Sequence, residues 1–178
     1  LTGCLNFLNS FFEKTIIKIK NGGCEDSVNI IESKGSIKYV DIYNSFSDGL
    51  DMDFSMISID KLIVKVSGND CLDVSGGNYK ISLANLSECN DKALSIGEIS
   101  ELNGNKIEVN NSNIGISVKD YSKSLIKNYT AKTVNICVEA FQKKQEFGGA
   151  IANFKFLECD GPFNNDQNSL IEKNYNEL

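Results

Sequence analysis

An apolar signature returns every 22 residues along this chain: SVNIIES begins at 27, GLDMDFS at 49, CLDVSGG at 71, ALSIGEI at 93, GISVKDY at 115 and CVEAFQK at 137. One residue into these windows stand Val28, Leu50, Leu72, Leu94, Ile116 and Val138, and two further on Ile30, Met52, Val74, Ile96, Val118 and Ala140. Leu5 and Phe7 extend both columns upstream at a spacing of 23. Alternation of apolar and polar residues within a window marks a strand. Return of the window at fixed spacing marks a solenoid, because one unit cannot bury its inward side chains whereas stacked units bury them against one another.

A second pair of columns runs about ten residues earlier in each repeat: Ile17, Val40, Leu62, Ala84, Ile107, Tyr129 and Ile19, Ile42, Val64, Leu86, Val109, Ala131. Ile37, Ile59 and Ile81 begin a third strand whose register then blurs. A polar series, Glu25, Ser47, Asn69, Asp91, Asn113 and Asn135, is placed at the bend before each first strand, followed by the compact series Ser27, Gly49, Cys71, Ala93, Gly115 and Cys137. Several short strands per unit with Asn, Asp and Gly at the corners predict an all-β parallel β-helix of about seven coils, on the order of 30 Å long. A leucine-rich repeat would need Leu at fixed offsets and a helical stretch per unit, and neither is present. The repeat covers residues 1–157, with a charged loop, QKKQEFGGA, inserted at 142–150; residues 158–178, which hold the single Pro, form a C-terminal cap or tail. Starting on Leu1 and directly on a rung, the chain reads as a piece of a longer protein.

Composition removes many chemistries. The 178 residues contain no His, no Trp and no Arg, so the 18 basic residues are all Lys. Imidazole-based nucleophile activation, His metal sites and guanidinium clamps are thereby excluded. A net charge of −6 without a basic cluster argues against nucleic acid, and no apolar run approaches the ~20 residues of a membrane helix. Six cysteines at 4, 24, 71, 89, 137 and 159 form none of the close pairs typical of zinc or redox sites. They are expected as buried free thiols in preference to disulfides.

On these residues the chain resembles right-handed parallel β-helices of the pectate-lyase-like superfamily over roughly Leu5 to Phe156. GNDCLDVSGG, DKALSIGE, SNIGISVKDYS and FQKKQEFGGA look like the accessory β-helix modules of bacterial surface proteins of the spore-coat-H type. That likeness implies a non-catalytic, extracellular or cell-surface module that binds carbohydrate or serves as a rigid spacer. A second likeness is to polygalacturonases, with FSD, GND, DKA and SVK in the order of that family's motifs. Asp48 and Asp70 match two of its catalytic acids, and Lys119 matches its substrate-binding cation. Asn69 replaces the third acid, Lys92 the His and Ser117 the Arg, a set without the paired acid and base that inverting hydrolysis requires.

Outward positions 22 apart stack Asp51 with Asp73, Asp53 with Ser75 and Asp48 with Asp70. Three readings of these carboxylates stand side by side. They are a solvated face, a calcium site formed by Asp51, Asp53 and Asp73, or the catalytic set Asp48, Asp70 and Asp73 of a hydrolase, lyase or epimerase acting on acidic glycans. Calcium is the one cofactor this pattern suggests. Further along the same columns, Ser95, Ser117, Lys119, Tyr121, Glu139 and Phe141 form a candidate face for a polysaccharide. Phe141 and Phe147 need a partner or a fold-back of the loop they flank. A phage or host-attachment fibre component is a further alternative, in which case the rod should trimerise.

Overall fold

A computed structural model describes residues 1–174, so that positions 175–178 of the expected tail lie outside the described residues. Among the described residues there is no helix. Short strands β1 (Gly3–Leu8), β3 (Asp26–Ile31), β5 (Asp48–Asp53), β7 (Leu72–Ser75) and β9 (Lys92–Gly97) alternate with long ones, β2 (Phe11–Gly22), β4 (Lys34–Ser45), β6 (Met56–Ser67) and β8 (Asn78–Cys89). In β10 (Glu101–Lys119) and β11 (Lys123–Phe141) the long strand runs on into the next short one; β12 (Ile151–Glu158), β13 (Phe163–Asn165) and β14 (Leu170–Lys173) complete the order. Every pairing is parallel and joins a strand to its copy one turn away. The chain is a parallel β-solenoid of about eight turns. The turn beyond the expected seven comes from the segment after Glu158, where β13 pairs with β11 and β14 with β12.

The repeat columns are the core. Val28, Leu50, Leu72, Leu94, Ile116 and Val138 lie in register and are fully buried, as are Ile30, Met52, Val74, Ile96, Val118 and Ala140. Ile17, Val40, Leu62, Ala84, Ile107 and Tyr129 form the second stack. The third, from Ile37 through Ile59 and Ile81, continues through Gly104 and Ile126 to Phe154. A fourth, with Phe12, Ile57, Tyr79 and Leu102, was not evident from spacing. Hydrophobic burial is roughly proportional to apolar area removed from water, so an uninterrupted apolar cylinder supplies the driving force that no single turn possesses.

Two ladders of left-handed residues bend the chain at its corners. One comprises Asn21, Asn44, Val66, Glu88, Asn111 and Thr133; the other Asn9, Glu32, Phe54, Gly76, Glu98 and Asp120. The bend before each short strand therefore falls two to four positions ahead of the polar series expected to make it. Val66, at φ 64°, takes a conformation that branched side chains disfavour. Its flanking residues hold it there: Lys65 and Ser67 pair with Tyr43 and Ser45 on one turn and with Ser87 and Cys89 on the next. Buried serines stitch the second corner: the backbone N–H of Ser10 donates to Ser33 Oγ at 2.9 Å, that of Ser33 to Ser55 Oγ at 3.0 Å and that of Ser100 to Ser122 Oγ at 3.1 Å.

The cysteines are paired, in contrast to the free thiols expected: Cys4–Cys24, Cys71–Cys89 and Cys137–Cys159, at sequence separations of 20, 18 and 22. The physical reason is the coil itself. One turn brings its own start and end together inside the corner, where Ser27 donates to Ser45 at 2.7 Å, Gly49 faces Ser67, and Cys71 meets Cys89. A separation near one repeat is thus a contact distance.

Candidate functional site

The short strands present their outward side chains on one flat face, and register fixes which residues meet. Asn6, Asn29, Asp51, Asp73, Ser95, Ser117, Glu139 and Asn164 form one outward column across the whole stack. Ile31, Asp53, Ser75, Gly97, Lys119 and Phe141 form the next. The stacking inferred for Asp51 with Asp73 and Asp53 with Ser75 is present.

The column divides into a committed half and an open half. Lys119 folds back over Gly97 to donate from Nζ to Ser95 Oγ at 2.7 Å, and Ser117 donates to Glu139 Oε1 at 2.7 Å. Ser95 and Ser117 are fully buried as a result, and Lys119 nearly so. Burial pulls the Lys119 ammonium below its ordinary range, partly offset by the charge of Asp73. Tyr121 stays exposed and meets Phe147 edge-on at 6.3 Å, so the loop at 142–150 does fold back. The carboxylate of Asp120 fixes that loop by accepting from the backbone N–H groups of Lys143 and Lys144 at 2.7 and 2.8 Å. Phe141 is half-buried.

Asp48 and Asp70 serve the corners. Asp48 Oδ1 accepts from Asn69 Nδ2 and from the backbone N–H of Asp70, both at 2.8 Å, and Asp70 Oδ1 accepts from the backbone N–H of Lys92 at 2.9 Å. Lys92 Nζ lies 3.5 Å from Asp70 and is bonded to Asp91. Its ammonium is held above the ordinary lysine range by Asp91 and Asp70 in spite of the opposing effect of burial. Each aspartate therefore ties one turn to the next.

Asp51, Asp53 and Asp73 remain as the open carboxyl groups, all half-buried. Burial lifts Asp51 to about 8, helped by the charges of Asp53, Asp26, Asp73 and Asp48. Asp53 is lifted to about 6 by burial and then by Asp73 and Glu98, and Asp70 to about 6 by burial against the pull of Lys92. At neutral pH Asp51 is therefore held mainly in its protonated, donor form. Asn29 Nδ2 donates to Asp51 Oδ2 at 2.8 Å, while Asn29 Oδ1 is buried without a partner. Asp26 extends the Asp48 and Asp70 column one rung upstream and is bonded to the Thr2 hydroxyl.

Spacing at 22 residues reaches Asp26 and Asn29 as readily as Asp51, and extending the columns by one rung finds both. Phe54 had no such signal. It follows β5 at a left-handed corner, is 60% exposed, and lies over Gly76, where an added Cβ would sit 2.5 Å from its ring. Phe46, 75% exposed, stands on the corner before the same strand. Among the described residues no group of three or more His, Cys, Asp or Glu side chains is disposed to hold a metal ion. Among the described residues no helix is long and apolar enough to cross a membrane. The architecture is the whole basis for placing this chain, since no protein-family model, no curated protein and no solved structure matches it.

Proposed function

We propose that this chain is a non-catalytic, extracellular or cell-surface β-solenoid module that binds a polysaccharide, specifically one bearing amino sugars, on the open half of the short-strand face. The observation that carries the reading is the grouping of Asp51, Asp53 and Asp73 with the exposed ring of Phe54 at the end of the same strand. A saccharide site needs an apolar platform with a few converging polar groups, and this face supplies both. Protonated Asp51 offers a donor to sugar hydroxyls, while the acidic face around it attracts an ammonium. Uronate polymers fit poorly, because the cations nearby, Lys92 and Lys119, are already engaged by Asp70, Asp91 and Ser95. Three disulfides support an oxidising compartment.

Titration with chitosan hexamers tests the reading. Binding is expected to weaken with added salt and to fall about tenfold in Phe54→Ala and in Asp73→Asn, a loss of ~1.4 kcal/mol each. Absence of binding in the wild-type protein would reduce the module to a rigid spacer. The enzyme reading keeps one specific support, a carboxyl raised to about 8 beside others that ionise. Turnover of chitosan or polygalacturonate that disappears in Asp51→Asn would establish it over the binding module.

A further inference from the structure

A trough of about 810 Å³ follows the corner between the long-strand wall and the short-strand face, crossing five successive turns. We infer that this trough is a second, separate binding site, one that takes a neutral polysaccharide chain lying along the solenoid axis.

Its walls are two columns of the fold. On one side the left-handed ladder places Asn44, Glu88, Asn111 and Thr133 one above another. On the other stand Asn90, Asn113 and Asn135, with Gly68 widening the trough one turn earlier and exposed Phe46 at the head of the column. The floor is backbone. Ser45, Cys89 and Ser112 turn their side chains into the corner, engaged with Ser27, Cys71 and the Cys89 N–H respectively. The amides along the floor are also engaged: Gly68 N–H donates to Ser45 O at 3.2 Å and Asn90 N–H to Ser67 O at 3.0 Å. An incoming peptide would thus find no free strand edge to pair with, and recognition falls to the wall side chains.

Those walls are almost uncharged. Glu88 is the one ionisable side chain lining the trough, and Lys65 stands 3.5 Å from it. Every other polar wall group is a carboxamide or hydroxyl, and a carboxamide presents a donor pair and an acceptor together, the complement of neighbouring sugar hydroxyls. The lattice of amides is held in place: Asn135 Nδ2 donates to Asn113 Oδ1 and Asn44 Nδ2 to Asn21 Oδ1, both at 2.9 Å. Rung spacing of ~4.8 Å over five turns gives a straight trough of roughly 19 Å, room for an extended oligosaccharide. Fixed donors on rigid backbone lower the ordering cost of binding.

The experiment titrates 15N-labelled protein with cellohexaose and with mannohexaose, following amide shifts, and compares wild type with the double variant Asn90→Ala/Asn113→Ala and with Asp51→Ala. The expected result is that one of the two hexasaccharides perturbs residues 44–46, 88–90 and 111–113. Its affinity should fall at least tenfold in the asparagine double variant and stay unchanged in Asp51→Ala and in high salt. Both substituted asparagines are exposed, and a thermal melt matching wild type confirms that the fold is kept. The inference is overturned if neither sugar perturbs the trough, if the double variant binds as wild type does, or if Asp51→Ala removes the binding instead. Chitosan titration of the same samples separates this outcome from that of the acidic face, because each site is lost in its own variant.

Discussion

Replacing Asp51 by Asn should change how the stability of this protein depends on pH, and the direction is opposite to the usual behaviour of carboxylates. A carboxyl that gains a cationic partner on folding is held low and contributes stability above its unfolded pKa. Asp51 instead rises from the ordinary carboxylate range to about 8, because burial and the charges of Asp53, Asp26, Asp73 and Asp48 disfavour its ionised form. The folded state then binds the proton more tightly than the unfolded chain. Its contribution is complete below about pH 4 and is lost as pH climbs towards about 8. At 1.36 kcal/mol per pKa unit the full linkage would be about 6 kcal/mol, which water and counterions reaching a half-buried carboxyl reduce to ~2–3 kcal/mol. Asp53 and Asp70, lifted to about 6, act in the same sense over a window that closes earlier.

Thermal or denaturant unfolding at intervals from pH 5 to pH 9 reads this out. For a chain of this length ~1 kcal/mol corresponds to roughly 2–4 °C, so the wild-type melting temperature should fall by about 5–10 °C across that range. In Asp51→Asn the carboxamide keeps the shape and still accepts from Asn29, but it cannot ionise, and most of the decline between pH 6 and pH 8 should disappear. A wild-type protein whose stability rises from pH 5 to pH 8, or a variant that keeps the full wild-type slope, would refute the argument.

The Cys71→Ser/Cys89→Ser pair, which opens a closed loop of about one turn, should lose ~3 kcal/mol of stability in denaturant unfolding; no change in midpoint would mean that stacking alone holds the turn. Gly115→Ala places a methyl 2.0 Å from the buried Tyr129 hydroxyl, which donates to Cys137 O at 2.9 Å, so a cost of ~2 kcal/mol or more is expected, and a neutral melt would count against the packing of that corner. Calcium should leave the melting temperature unchanged, because Asp51, Asp53 and Asp73 stack without converging on one point; a rise that Asp51→Ala abolishes would restore a calcium role for them.

What the sequence revealed and what it hid divide along one physical line. Inward columns are legible because the hydrophobic requirement is the same on every turn: Leu50, Leu72 and Leu94 need only be apolar, and any spacing search finds them. The third column faded because Gly104 interrupts it and the inserted loop stretches the step from Ile126 to Phe154, although pairing runs through both. Features that depend on the coil closing on itself left no such mark. Cys71 and Cys89 are distant by any close-pair rule and adjacent once a turn closes. Val66 and Glu88 carry no turn signal, yet each takes a left-handed bend because its neighbours above and below do. The same reasoning separates the halves of the outward face. Periodicity places Ser95 and Ser117 beside Asp51 and Asp73, but whether a polar column faces solvent depends on where one long side chain lies. Lys119 folds over Gly97 and closes the serine half, because a glycine at that rung leaves its stem a bed to lie in. The open carboxylates are thus bounded by a lysine that shares a column with Asp53 and bonds the serine stacked on Asp73, which makes Lys119→Ala the substitution that should extend the binding face toward Glu139 without altering a single acid.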